Sequence, residues 1–328
     1  MIYKLLPTRV YRSYYGGKNL DILQNIPKPV FSRYPEDWIS SVSLAYNPDN
    51  VVKNEGLSMT EDGVFLKDLI ENDKKNMIGD RADMSLLFKL LDSSERLVIQ
   101  CHPTRDFAKK HFNSKYGKTE CWYILSDGGE IYIGFKNGIT KEYFMELFQK
   151  QDVKEMLNCL HCFKVKKGDF IFVPGGVPHA IGANCFLAEL QEPTDFMVIP
   201  EKVTPSGIKL KDSKIHGGLG YEKMFDCFEY SGLDREDAKK RFFLAPQKVN
   251  DNVLSLVDNN VTDMFKLEEI TVDNQYASKL ESYAILLVIQ GNGFINGEKA
   301  CFGDRFFMPE NDKKLQIDGN MKVLVCKP

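Results

Sequence analysis

The sequence predicts a mainly β protein with helical insertions, built from two β modules in tandem, and three observations carry that prediction. A turn, strand and proline pattern occurs twice: Gly168-Asp169-Phe170-Ile171-Phe172-Val173-Pro174 returns as Gly303-Asp304-Arg305-Phe306-Phe307-Met308-Pro309. Each copy follows another apolar strand, at residues 120–125 and 281–290, and each of those strands runs into a glycine-containing turn, Asp127-Gly128-Gly129 and Gly291-Asn292-Gly293. The 328 residues, 43% of them hydrophobic, suffice for two domains of about 150 residues and a full-sized core. Two copies are too few for a solenoid, so each module is expected to be a sandwich or small barrel of short strands.

The elements follow in chain order. Residues 55–80 are polar and rich in Asn, Asp and Gly, which predicts a loop with one helix around residues 65–70. Residues 96–102 read as a strand that stops at Pro103. Residues 118–123 form the next strand. Thr140 caps a helix whose apolar positions Phe144, Leu147, Phe148 and Met156 follow helical spacing, and residues 234–243 form another short helix. The domain change falls near residue 210, giving one module over 1–210 and a helical connection with a second module over 211–328.

Composition excludes several partners. Lys and Arg number 43 against 46 Asp and Glu, so a net charge of -3 gives no global attraction to nucleic acid or to an anionic membrane. The longest apolar run, residues 283–289, falls far short of the roughly 18 residues of a membrane span. The first residues lack the apolar stretch and cleavage site of a signal peptide, so a reducing cytoplasm is expected and the eight cysteines should be mostly free thiols. Cys159 and Cys162 form a C-x-x-C, but no second pair stands at zinc-finger spacing, and a helix end with small buried thiols accounts for it.

One constellation carries chemistry. Side chains alternate along a strand, so Gln100 and His102 point to one face, one pleat apart, where both can reach a single metal ion. Lys118, Glu120 and Trp122 share a face by the same rule. The turn Pro174-Gly175-Gly176-Val177-Pro178 presents His179 at a strand entrance. Two imidazoles, a carboxylate and an amide oxygen are donors for zinc, with Mn or Fe compatible through Gln100. Each residue alone has a structural explanation, but only five histidines exist and two fall on these three segments.

The spacing Gly168, Pro174, Gly176, His179 resembles the second motif of the cupin family, with its asparagine one place late at Asn184. The first cupin motif is partial, because Gln100 replaces a histidine and an insertion separates His102 from Glu120. Gln100-x-His102-Pro103, then Gly117-Lys118-Thr119-Glu120-x-Trp122-Tyr123, then Pro174 to His179 and Glu189-Leu190-Gln191, resembles the type I phosphomannose isomerases. The likeness extends from Gly16-Gly17-Lys18-Asn19-Leu20 and Trp38 through Phe88-Lys89-Leu90-Leu91-Asp92 to Asp195, and loosely over the second module.

That resemblance implies two cupin-type (jelly-roll) β-barrels in tandem, the first binding metal and the second metal-free. It implies one zinc ion per chain held by Gln100, His102, Glu120 and His179, since Glu310, Asn311 and Asp312 stand where a second histidine would be. It also implies interconversion of mannose 6-phosphate and fructose 6-phosphate, with Lys118 handling a proton or an oxygen and Glu189 as the leading base. The expected partner is a small sugar phosphate, with neither nucleic acid nor membrane, for a monomer or weak homodimer.

One departure stands out. Four residues after Asp195, where the family has an arginine, this chain has Ile199. Isoleucine cannot fork onto an anion, so Lys202, Lys209 or Arg12 must replace it, or turnover is slow, or the substrate differs. Two further readings stay open: a non-haem iron oxygenase, from the two-histidine, one-carboxylate set, and a metal-dependent sugar-phosphate sensor without turnover.

Overall fold

In the computed structural model, which describes residues 2–47 and 50–328, the described strands pair antiparallel into sheets of six, three and eight strands. The protein is mainly β, as expected, but among the described residues these pairings leave each sheet open rather than closed into a barrel.

The six-stranded sheet sets the site. Its order is Arg9–Val10, Glu36–Ile39, Leu87–Asp92, Phe186–Gln191, Glu120–Ile124 and Phe170–Val173. Period-two alternation gives it two different faces. Phe88, Leu90, Cys121, Tyr123 and Leu190 pack on one side against Leu287, Phe307 and Leu324 of the eight-stranded sheet. Trp122, Ile124, Ile171 and Leu187 pack on the other against Ile131, Ile133 and Ile181 of the three-stranded sheet. Burying each such side chain contributes about 1.5–3 kcal/mol, so both interfaces are strongly held. Glu36, Lys89, Glu120 and Glu189 fall on this second face by the same alternation, which inserts charge into an otherwise apolar layer.

The eight-stranded sheet is built on three long strands, Lys266–Lys279, Ala284–Ile295 and Lys314–Lys327. Its edge takes in the start of the chain, where Tyr3 pairs with Phe307. A buried ion pair from Arg305 to Asp37 ties it to the six-stranded sheet, and Asp37 also accepts from the Thr8 N–H at 2.7 Å and the Gln24 amide at 2.7 Å.

Four local expectations are corrected. Gly291-Asn292-Gly293 lies inside the Ala284–Ile295 strand instead of making a turn. A Cβ on Gly293 would come within 2.0 Å of the Asp318 carbonyl oxygen, so glycine here permits close strand approach, and the turn falls at Asn296-Gly297. Residues 96–102 form no continuous strand, only bridges at Gln100 and Cys101. The Thr140-capped helix is Lys141–Lys150; Gln151 turns left-handed at φ 53 and Asp152 caps a separate helix, Val153–Asn158, which holds Met156. Residues 55–80 contain two helices, Leu66–Asn72 and Lys74–Ile78. The Thr140 and Asp234 caps stand as expected, each accepting from the backbone N–H three residues on.

Candidate metal centre

Three chain segments meet at His102. Gln100 and His179 exchange backbone hydrogen bonds of 2.9 Å in both directions, the Gly176 N–H donates to the His102 carbonyl at 2.7 Å, and the Lys118 N–H donates to the Pro103 carbonyl at 3.0 Å. Two glycines make this convergence possible. A Cβ on Gly117 would stand 2.5 Å from the Pro103 oxygen and one on Gly175 would stand 2.8 Å from it, so both neighbouring segments need a bare backbone to close on Pro103.

The ligand atoms then follow from hydrogen bonding. His102 donates through Nδ1 to the Phe196 carbonyl at 2.8 Å, and His179 through Nδ1 to the Val177 carbonyl at 2.9 Å. A carbonyl can only accept, so each ring keeps its proton on Nδ1 and its lone pair on Nε2. Both Nε2 atoms face Glu120: His102 at 3.3 Å from Oε2 and His179 at 3.4 Å from Oε1. One ligand atom from each of the three lies within 4.8 Å of the others, and all three side chains are buried. Burial drives the His179 pKa down to about 3, and burial with the Lys118 charge lowers that of His102, so both are neutral donors. Burial alone would raise Glu120, but the Lys118 ammonium outweighs it and holds the carboxyl well below its usual range.

Two observations say that this set fits a divalent cation. His179 Nε2 is buried without a hydrogen-bond partner, a costly state that coordination would relieve. Lys118 Nζ reaches His102 Nε2 at 2.7 Å and Glu120 Oε2 at 2.5 Å, so an ammonium already occupies part of the space that a metal would take. Gln100 joins the same backbone knot and is among the residues lining the adjoining cavity.

Behind Lys118 runs a chain of buried ion pairs. Lys118 Nζ is 3.6 Å from Glu189 Oε1, Lys89 Nζ is 3.1 Å from the same oxygen and 3.6 Å from Glu36, and Arg12 Nε is 3.0 Å from Glu36. Arg12 also forks onto Asp195 at 3.2 and 3.3 Å. Glu189 stands directly opposite Lys89 in the sheet register. Burial and the nearby Glu120 charge push its carboxyl up to about 7, against the pull of Lys89 and Lys118. Lys89 and Glu36 received no role in the sequence reading. Their signal was available: a lysine and a glutamate inside short strands that are otherwise buried.

A cavity of about 520 Å³ adjoins these groups, with Gln100, Lys118, Glu189 and Arg12 among its lining residues. Ile199 also lines it while packing with Leu210 and Ile215. Of the three cations named as replacements for the missing arginine, Arg12 lines this cavity. Lys202 lies over the Phe148 and Tyr221 rings, and Lys209 borders a second, smaller pocket.

Residues 27–127, which include Gln100, His102, Lys118 and Glu120, match the family model described as Phosphomannose isomerase type I, catalytic domain. Over these residues the chain is similar to that family. It is 28% identical over 253 residues to the "Probable mannose-6-phosphate isomerase GmuF" of Bacillus subtilis, covering 74% of the chain and 75% of that relative. It is 36% identical over 149 residues to the mannose-6-phosphate isomerase ManA of Bacillus subtilis, covering 43% and 45%. The crystal structure of a mannose 6-phosphate isomerase from Bacillus subtilis superposes with a TM-score of 0.78 at 22% identity, over 100% of this chain and 99% of that one. The fold of that structure thus extends over the whole chain, including the region beyond residue 127 that holds His179 and Glu189.

Proposed function

We propose that this protein is a zinc-dependent aldose-ketose isomerase that interconverts mannose 6-phosphate and fructose 6-phosphate. The observation that carries the reading is the convergence of His102, Glu120 and His179, two Nε2 lone pairs and a carboxylate, beside Lys118 and a Glu189 poised near neutrality. Gln100 would complete the ligand set. A bound zinc ion supplies a Lewis acid that polarises the sugar's oxygens.

The chain's own residues do the rest. The reaction moves a proton from carbon 2 of the open-chain aldose to carbon 1 and the hydroxyl proton of oxygen 2 to oxygen 1, through an enediol. Glu189 takes the proton and returns it, a task suited to a carboxyl whose pKa lies near the working pH. Lys89, 3.1 Å away, keeps that carboxylate oriented. Lys118 gives a proton from Nζ to oxygen 1 as charge develops there and takes back the hydroxyl proton of oxygen 2, for which it must leave its bond to His102. The apolar layer of Trp122, Ile124 and Ile171 beneath the site excludes water.

The same reading takes residues 1–210 as the catalytic module and 211–328 as a helical connection with a metal-free module, each derived from a cupin-type barrel; the repeated Gly-Asp-strand-Pro pattern supports this. It places the enzyme in the cytoplasm, as a monomer or weak homodimer, in keeping with eight free cysteines.

Ile199 favours a second reading, a sugar-phosphate binder without turnover. A coupled assay of the zinc-loaded protein with mannose 6-phosphate, beside Ile199→Arg and His179→Ala, separates the two. Turnover by the parent that His179→Ala abolishes supports the isomerase. An inactive parent with an active Ile199→Arg supports the binder, and the absence of turnover in all three removes the assigned substrate.

A further inference from the structure

We propose that Glu192, paired with Arg105, is a positioning residue for the metal centre, its carboxylate tying the segment that carries Glu120 to the segment that carries His102. The inference rests on the metal reading above. Glu192 is fully buried and is not among the residues that line the cavity, so it acts through its neighbours and not on substrate.

The sheet shows what the carboxylate does. The strand Glu120–Ile124 pairs with Phe186–Gln191, and the register ends at Gln191 opposite Glu120. One step further, the Glu192 N–H still donates to the Thr119 carbonyl at 3.1 Å. In a regular antiparallel ladder the Thr119 N–H would return that bond to the Glu192 carbonyl. It donates instead to Oε2 of the Glu192 side chain at 3.0 Å, while the Glu192 carbonyl accepts from the Gln191 amide at 3.0 Å and the Thr194 N–H at 2.8 Å. The side chain thus replaces its own backbone as acceptor and fixes the strand entrance between Lys118 and Glu120.

The second oxygen reaches the segment of another ligand. Oε1 accepts from Arg105 Nε at 2.6 Å, and Arg105 opens the helix Arg105–Phe112 that follows His102, Pro103 and the capping Thr104. The other ion pair of Arg105, at 3.6 Å to the exposed Asp263, adds little. Thr119 accepts from the Gly175 N–H through Oγ1 at 3.2 Å, which brings in the turn that presents His179. One buried carboxylate therefore braces all three ligand-bearing segments. Glutamine at this position would keep the shape but offer one acceptor in place of two, so the Thr119 N–H and Arg105 could not both be satisfied, and a ligand set depends on such outer partners for its alignment.

The test uses the full chain and the variants Glu192→Gln, Arg105→Ala and Arg305→Met, the last breaking an ion pair remote from the site. Two quantities are read: the zinc dissociation constant by competition with a chelator, and the visible absorption bands of the cobalt-substituted protein. The zinc constant is expected to rise about 10–100-fold in Glu192→Gln and Arg105→Ala, with altered cobalt bands, while Arg305→Met stays within about threefold of the parent and keeps the parent's bands. Melting temperatures identify the folded variants; should Glu192→Gln fail to fold, Arg105→Ala, whose side chain is partly exposed, decides. A zinc constant within about threefold of the parent in either variant that folds, unchanged cobalt bands, or an equal loss in Arg305→Met overturns the inference. A parent that binds no zinc defeats the metal reading itself and removes this inference with it.

Discussion

The Nζ of Lys118 lies 2.7 Å from Nε2 of His102, the nitrogen left without a proton by that ring's bond to the Phe196 carbonyl. A metal and this ammonium cannot both take that lone pair, so metal loading must turn Lys118 toward the cavity it already lines. Replacing it by methionine is therefore expected to leave the ligands intact and to lower kcat by about 10²–10⁴-fold, the usual weight of a positioned proton donor. Steady-state kinetics on protein of measured zinc content checks this; a variant that keeps its kcat would remove Lys118 from the chemistry.

On the proposed reading, Glu189 is the group expected to set the pH dependence. Its carboxyl is pushed up to about 7, mainly by burial, and a base works only when ionised, so kcat/KM should rise with pH and be lost as the pH falls. A divalent cation nearby favours the ionised form, which puts the rising limb of the zinc enzyme at or below about pH 7. Glu189→Gln should lower kcat by at least about 10²-fold and flatten that limb. A profile with the limb intact in the variant would assign it to another group.

Gly117 is expected to tolerate no side chain. A Cβ would press to 2.5 Å on the Pro103 carbonyl oxygen, a contact with backbone on both sides that cannot give way cheaply. Gly117→Ala should cost about 1–3 kcal/mol and reduce zinc affinity, because it pries the Lys118 and Glu120 segment away from His102. Urea unfolding and zinc titration of the same variant measure the two effects.

The link between the sheets gives a prediction remote from the site. Arg305 and Asp37 are both buried, and removing one partner leaves the other charge uncompensated. Arg305→Met should destabilise by about 3–5 kcal/mol, softened by the two other donors that Asp37 keeps. Denaturant midpoints of the variant and parent give the value; a loss under about 1 kcal/mol would mean that Thr8 and Gln24 suffice.

The sequence showed the site better than the sheets around it. Alternation along residues 118–123 put Lys118, Glu120 and Trp122 together, and the structure has Glu120 bonded to both of the others, because strand period is a local property. Thr140 and Asp234 were legible as caps for the same reason. Gly291 and Gly293 were misread as a turn, since glycine also marks close approach to a strand that pairs from about thirty residues further along. Lys89 and Glu36 went unassigned because their partners come from other strands, and cross-strand register is invisible along a single segment. The meeting of the first strand with Arg305–Met308 is of the same non-local kind.

His102, Glu120 and His179 are expected to grip one divalent ion. Elemental analysis of zinc-loaded, extensively dialysed protein tests it most directly, with His179→Ala alongside. The prediction is close to one equivalent of zinc per chain in the parent and a small fraction of that in a folded variant. A parent that retains no zinc, or a variant that retains as much as the parent, would contradict it.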